Sequence, residues 1–130
     1  MAKYGITREL PDTDYDAAVT QVTEALKKEG FGVITEIDVK ATMKKKLDVD
    51  FERYVILGAC NPPIAHQALQ AEPLIGLLLP CNVVVKERDG GGSIVSALNP
   101  GELFKLVDRE DILPMAQDIT HRLERVIESL

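Results

Sequence analysis

The stretch that decides the fold is residues 81–98, which read CNVVVKERDGGGSIVSAL. Its first part, 81–88, alternates between two faces, as a β-strand does. A turn rich in glycine follows and leads into a second strand at 93–98. Strands joined by so short a turn run antiparallel, so at least part of the sheet is predicted to be antiparallel. The residues predicted to share one face of the first strand are Cys81, Val83 and Val85.

Toward the N-terminus, apolar spacing and capping residues predict alternating strands and helices. Thr13 is interpreted as the N-cap of the first helix, and Asn61 followed by Pro62 as the start of another. The pair Glu72–Pro73 is expected to break that helix. The predicted elements before the hairpin are a strand at 3–9, a helix at 13–29, a strand at 31–37, a short helix after Asp38 bearing Val39, Met43 and Leu47 on one face, a central strand at 51–60 covered on both faces, and two short helices between Asn61 and Leu79.

After the hairpin, residues 99–101 predict a turn, and the final segment, 112–130, has the clearest helical period in the chain. The predicted order is β-α-β-α-β-α-β-β-α. This order fits a two-layer α+β fold, in which helices pack on one face of a mainly antiparallel sheet. Because 130 residues are close to the commonest domain size and no linker divides them, one domain spanning 1–130 is expected.

The bulk composition limits the classes of function. The net charge is −6, and a basic surface for phosphate contacts is not evident, so no nucleic-acid partner is expected. The longest apolar run is far shorter than a membrane span, so no membrane partner is expected. Two cysteines without an export signal indicate a reducing compartment, and we expect a cytoplasmic protein.

Two segments resemble a known family. They are residues 54–66, YVILGACNPPIAH, and residues 78–85, LLPCNVVV, with Glu72–Pro73 between them. The chain is similar over essentially its whole length to the family named domain of unknown function 302. The resemblance implies a fold like one half of the TATA-binding protein, with a curved antiparallel sheet crossed by helices. It implies neither an activity nor a role in DNA binding.

Cys60, His66 and Cys81 form the first candidate constellation. Cys60 ends one predicted strand and Cys81 begins a later one, so antiparallel pairing would place both at the same end of the sheet. Cys60 also precedes a helix N-terminus, which favours a thiolate. His66 lies about one turn into that helix. Asn61 and Asn82 are candidate ligand-binding residues beside the thiols.

Several chemistries would suit this constellation. The two thiols would form a redox pair, or Cys60 would act as a nucleophile with Cys81 as its resolving partner. Cys60, His66 and Cys81 are also weak candidates for a metal site, although no metal motif is present. The alternative is that both cysteines pack as small apolar residues, as free cysteines commonly do.

Three other features complete the set of candidates. Glu36 is a candidate ligand-binding carboxylate in a cleft, or else a residue on the open side of the sheet. His121 is expected to face solvent. Residues 73–79 are apolar on every side, which predicts burial, either by the domain's own core or by a second copy in a homodimer.

These observations favour a small binding module with its site at Cys60, His66 and Cys81. The alternatives are a thiol-dependent redox or nucleophilic enzyme, and a homodimeric structural or interaction protein without small-molecule chemistry. The sequence identifies no cofactor and does not decide whether the protein is an enzyme.

Overall fold

A computed structural model describes residues 3–130, which form five strands, five α-helices and two 3₁₀ helices. The elements in chain order are β1 (Gly5–Leu10), α1 (Tyr15–Lys28), β2 (Gly32–Asp38), α2 (Val39–Leu47), β3 (Tyr54–Cys60), α3 (Pro62–Ala71), the first 3₁₀ helix (Pro73–Leu78), β4 (Cys81–Glu87), β5 (Ser93–Leu98), α4 (Pro100–Leu103), the second 3₁₀ helix (Phe104–Val107) and α5 (Leu113–Glu128).

The five strands form one open sheet in the order β1-β5-β4-β3-β2, and every neighbouring pair is antiparallel. The hairpin between β4 and β5 is confirmed. Its turn uses Gly90, Gly91 and Gly92, all with positive φ, a conformation that costs glycine little. The predicted class, a mainly antiparallel sheet with helices on one face, is therefore confirmed.

Helices α1 and α5 contact each other and cover one face of the sheet. The predicted face of β4 is confirmed, because Val83 and Val85 are fully buried against this helical layer. On β3 the residues that face the helices, Val55, Leu57 and Ala59, are buried. On the opposite face Ile56 is half-buried, and Gly58 is covered only by the side chains of Thr35 and Pro80. The expectation that this strand is covered on both faces was therefore wrong, since no helix layer lies over the second face of residues 3–130.

The main apolar cluster is formed by buried side chains of the sheet, of α1 and of α5, together with Phe31 and Ile64, and a second cluster lies beside it. The second cluster is formed by the segments between β3 and β4 and between β5 and α5, which pack against the first turns of α5. Its buried members are Ala68, Ile75, Phe104, Ile112 and Ala116. We call these segments, residues 62–79 and 100–112, the lobe.

Capping residues decide where the helices begin. Asn61 and Asp38 are the caps that the sequence predicts, and the Asp38 carboxylate accepts a hydrogen bond from the Ala41 N–H at 2.9 Å. For α1 the prediction of Thr13 was wrong, because the cap is Asp14, whose carboxylate accepts from the Ala17 N–H at 2.8 Å. The start of α1 is shifted to Tyr15 accordingly.

The apolar segment 73–79 is less buried than the sequence predicts. It begins as a 3₁₀ helix, in which residues three apart lie on the same side. Ile75 is buried, but Leu74 and Leu77 share the outer side and are 72% and 86% exposed. Of the two alternatives for this segment, burial by the domain's own core therefore holds for Ile75 but not for Leu74 and Leu77. Within residues 3–130 no helix combines the length and apolar character that a membrane crossing requires.

Candidate functional site

A cavity of about 280 Å³ lies between the main cluster and the second cluster. Residues of both clusters line it. The main cluster contributes Phe31, Ala59, Ile64, Cys81 and Ile119, and the second cluster contributes Ala68 and Phe104. The remaining wall residues are Ile34, Cys60, Asn61, Ala65, Leu69, Gly76, Leu79 and Pro80. The two clusters therefore leave space between them where they meet at one end of the sheet.

The wall of the cavity is almost wholly apolar. No charged side chain lines it among the described residues, and its only polar groups are Asn61 and the thiols of Cys60 and Cys81. Because nothing there compensates a buried charge, the cavity suits a neutral molecule. Its size lies just below the usual range for ligand pockets, which limits an occupant to a small one.

A β-bulge in β2 shapes the open side of the cavity. Val33 pairs with Ala59 and Thr35 with Gly58, so Ile34 has no partner on β3. A bulge of this kind turns one side chain away from the regular alternation of the strand. Ile34 lines the cavity while remaining 61% exposed.

Asn61 fixes the start of α3 at the wall of the cavity. Its Oδ1 accepts a hydrogen bond from the Ile64 N–H at 3.3 Å, and its side chain is only 8% exposed. The next two residues, Pro62 and Pro63, have no N–H. The first free donor of the helix, at Ile64, is thus already used by Asn61.

This arrangement bears directly on Cys60, the last residue of β3. The free N–H groups of a helix N-terminus can donate hydrogen bonds to a neighbouring group. Here Pro62 and Pro63 remove two of those groups and Asn61 occupies a third. Cys60 is half-buried and lines the cavity, but α3 presents it with no free donor from its first three positions.

Cys81 lies deeper in the wall. Burial, and to a smaller extent the neighbouring Cys60, together raise the pKa of its thiol from an ordinary value of 9.0 to about 12. A thiol with this pKa stays protonated at neutral pH. Cys81 therefore contributes a neutral, weakly polar surface to the cavity rather than a thiolate.

The structure brings some of the predicted site residues together and separates others. Cys60, Asn61 and Cys81 line the cavity. His66 is exposed on α3 and does not line the cavity, so it is not placed to act as a base for Cys60. Asn82 is also exposed, on the face of β4 opposite to Cys81.

Glu36 is likewise outside the cavity wall. It is an exposed residue of the edge strand β2, opposite Leu57. Since Leu57 is buried under the helices, Glu36 points toward the helical side of the sheet and not toward its open side. His121 faces solvent, as the sequence predicts.

A metal site built on Cys60, His66 and Cys81 is not supported. Across residues 3–130, no group of three or more His, Cys, Asp or Glu side chains is close enough together to hold a metal ion. The exposed position of His66 on α3 explains why the trio does not assemble.

The sequence did not predict which small residues create the cavity. Ala65 and Ala68 lie three apart on α3, and Gly76 lies in the 3₁₀ helix that follows. A Cβ built on Gly76 would meet no atom within 4 Å. The small side chains at these positions were visible in the sequence, but their common direction depends on how the lobe folds back onto the sheet.

Comparison with known proteins gives a family but no activity. No curated protein matches the chain. The model of the domain of unknown function DUF302 matches residues 6–130. The crystal structure of an uncharacterised conserved protein DUF302 from Bacillus stearothermophilus is similar at 30% identity, with a TM-score of 0.88 and 98% of each chain covered. The open antiparallel sheet, the helices on one of its faces and the match along nearly the whole sequence lead to one assignment: the chain belongs to the DUF302 family.

Proposed function

We propose that the protein is a small-molecule binding module that holds one neutral, apolar ligand in the cavity between the main cluster and the second cluster. The observation that carries this proposal is the composition of the cavity wall, which surrounds about 280 Å³ without a single charged side chain. An apolar ligand that enters such a space removes its own surface and that of the wall from water.

Binding is favoured over thiol catalysis by the state of the two cysteines. Cys81 is held neutral by a pKa of about 12, which makes it a poor resolving thiol. Cys60 has no histidine at the cavity wall to act as its base, because His66 is exposed and lies outside the wall. A thiol that is activated by a general base needs that base within hydrogen-bond reach.

The proposal is tested by titrating the protein with toluene and, in parallel, with benzoate. The two probes share a ring, but benzoate carries a charge. We expect toluene to bind and benzoate not to bind, measured by titration calorimetry. At ten times its Kd, toluene should raise the free energy of unfolding by about 1.4 kcal/mol through mass action.

Two filled variants locate the binding site. Ala65→Leu and Gly76→Leu each add a side chain at the cavity wall and should abolish the response to toluene. Gly32→Leu is the matched control, because a Cβ at Gly32 also meets no atom within 4 Å but Gly32 does not line the cavity. Toluene binding that persists in both filled variants, or that is absent from the wild type, would refute the proposal.

We also propose a cytoplasmic location, which is supported by the two unbridged cysteines. Free thiols persist in reducing compartments.

A further inference from the structure

Ile34 has an unusual position for a large apolar residue. It lies on the edge strand β2, has no partner on β3, is 61% exposed and nevertheless lines the cavity. The other exposed residues of the cavity wall are Leu69 on α3 and Gly76 on the first 3₁₀ helix. At these three residues the wall of the cavity is therefore exposed to solvent.

We propose that Ile34 is the residue that determines which ligands the cavity accepts, by limiting the width of the molecule that passes between it and Leu69. This inference rests on the proposed function, since it deepens the description of the same site. The ligands that the cavity accepts are then neutral molecules of narrow cross-section.

The β-bulge is what gives Ile34 this role. In a regular strand, the residue between Val33 and Thr35 would pair with β3, and its side chain would follow the alternation of the sheet. The extra residue removes Ile34 from that alternation and directs it to the cavity. Bulges are frequent beside binding sites because they redirect single side chains in this way.

The side chain of Ile34 contributes little to the packing of the core. It is not a member of either buried cluster or of the partly buried residues packed against them. A ligand at this exposed part of the wall would cover its exposed apolar surface, which is favourable in proportion to the area removed from water. The Ile34 side chain thus stabilises the ligand-bound protein more than it stabilises the ligand-free protein.

The test compares two neutral alcohols of different width, cyclohexanol and 1-adamantanol, by titration calorimetry. The wild type is expected to bind cyclohexanol and to discriminate against 1-adamantanol. Replacing Ile34→Ala should raise the affinity for 1-adamantanol relative to cyclohexanol by roughly tenfold, the usual effect of changing a few methyl groups in an apolar pocket.

Ile37→Ala is the matched control. Ile37 is the same residue type on the same strand and is 49% exposed, but it does not line the cavity. The affinity ratio should therefore stay at the wild-type value. An equal ratio in Ile34→Ala, Ile37→Ala and the wild type, with cyclohexanol still bound, would overturn the role of Ile34 and leave the binding function intact. If the wild type binds neither alcohol nor toluene, the binding function itself fails.

Discussion

Cys81 on β4 lies directly opposite Ala59 on β3, and not opposite Cys60. Neighbouring residues on a strand point to opposite faces, so the regular alternation directs the side chains of Cys60 and Cys81 to different sides of the sheet. Both thiols nevertheless line the cavity, because β3 ends and β4 begins beside it.

This offset predicts that the two cysteines do not form a disulfide under mild oxidation. Bridging requires side chains that point toward each other as well as Cα atoms within about 7 Å. After treatment with diamide, mass spectrometry should show two free thiols that iodoacetamide labels in denaturant. An internal bridge formed rapidly in the native protein would restore the redox hypothesis.

Alkylation of the native protein should separate the two thiols. Cys60 is half-buried at the cavity, whereas Cys81 is buried and its pKa is raised to about 12. We expect iodoacetamide at pH 8 to label Cys60 and to leave Cys81 unmodified until denaturant is added. Toluene should slow the labelling of Cys60, since it would occupy the same cavity.

The raised pKa of Cys81 also predicts how stability changes with pH. The folded state keeps the proton up to a pH of about 12, while the unfolded chain releases it near 9.0. The stabilising contribution of the neutral thiol is therefore complete below pH 9 and is lost as the pH rises toward 12. Above pH 9 the loss approaches about 1.4 kcal/mol per pH unit.

Urea unfolding between pH 8 and pH 10 checks this linkage. Cys81→Ala should flatten the decline, because it removes the titrating group. Cys60→Ala should retain the decline seen in the wild type. An unchanged slope in Cys81→Ala would show that the buried thiol does not cause it.

Asn61 is expected to matter for stability as well as for the cavity. Asn61→Ala removes the acceptor for the Ile64 N–H and should lower the free energy of unfolding by about 1 kcal/mol. Asn61→Asp retains an acceptor and should restore most of that loss. Asn82→Ala changes an exposed asparagine and should leave the urea midpoint almost unaltered.

Gly58 leaves room for the side chains of Thr35 and Pro80, which lie against it. A Cβ at this position would clash with the Thr35 side chain and lie 2.8 Å from Cγ of Pro80. Gly58→Ala should therefore destabilise the protein by about 1–3 kcal/mol, as overpacking commonly does. Gly32→Ala is the control on β2, where a Cβ meets nothing within 4 Å, and its thermal midpoint should remain close to that of the wild type.

The exposed leucines of the first 3₁₀ helix are consistent with the predicted homodimer, in which a second copy would cover them. Leu74 and Leu77 lie beside Leu106, and together they expose more contiguous apolar surface than isolated side chains do. We expect wild-type protein to self-associate through this surface in sedimentation velocity, and Leu77→Glu to shift it to monomer. A monomeric wild type at high concentration would contradict this expectation.

Local patterns predicted the fold well. The period-two alternation in residues 81–98 and the glycine turn within them determine the hairpin, and the predicted caps Asp38 and Asn61 directly precede the helices that they start. The site was predicted only in part. Cys60 and Cys81 were found through the order of the strands, whereas the roles of Ile34 and Gly76 depend on a bulge and on how the lobe packs, neither of which leaves a local pattern.

The division of the cavity wall between two clusters has a consequence for how such a protein diversifies. The sheet and its two long helices carry most of the buried apolar side chains, whereas Ala65, Leu69 and Gly76 reach the cavity from the lobe. Exchanging side chains on the lobe alone would alter the shape of the cavity while the sheet core kept its packing. Under the proposed binding function, one scaffold would accept different ligands through changes in the lobe, while the sheet and its two long helices preserved the fold.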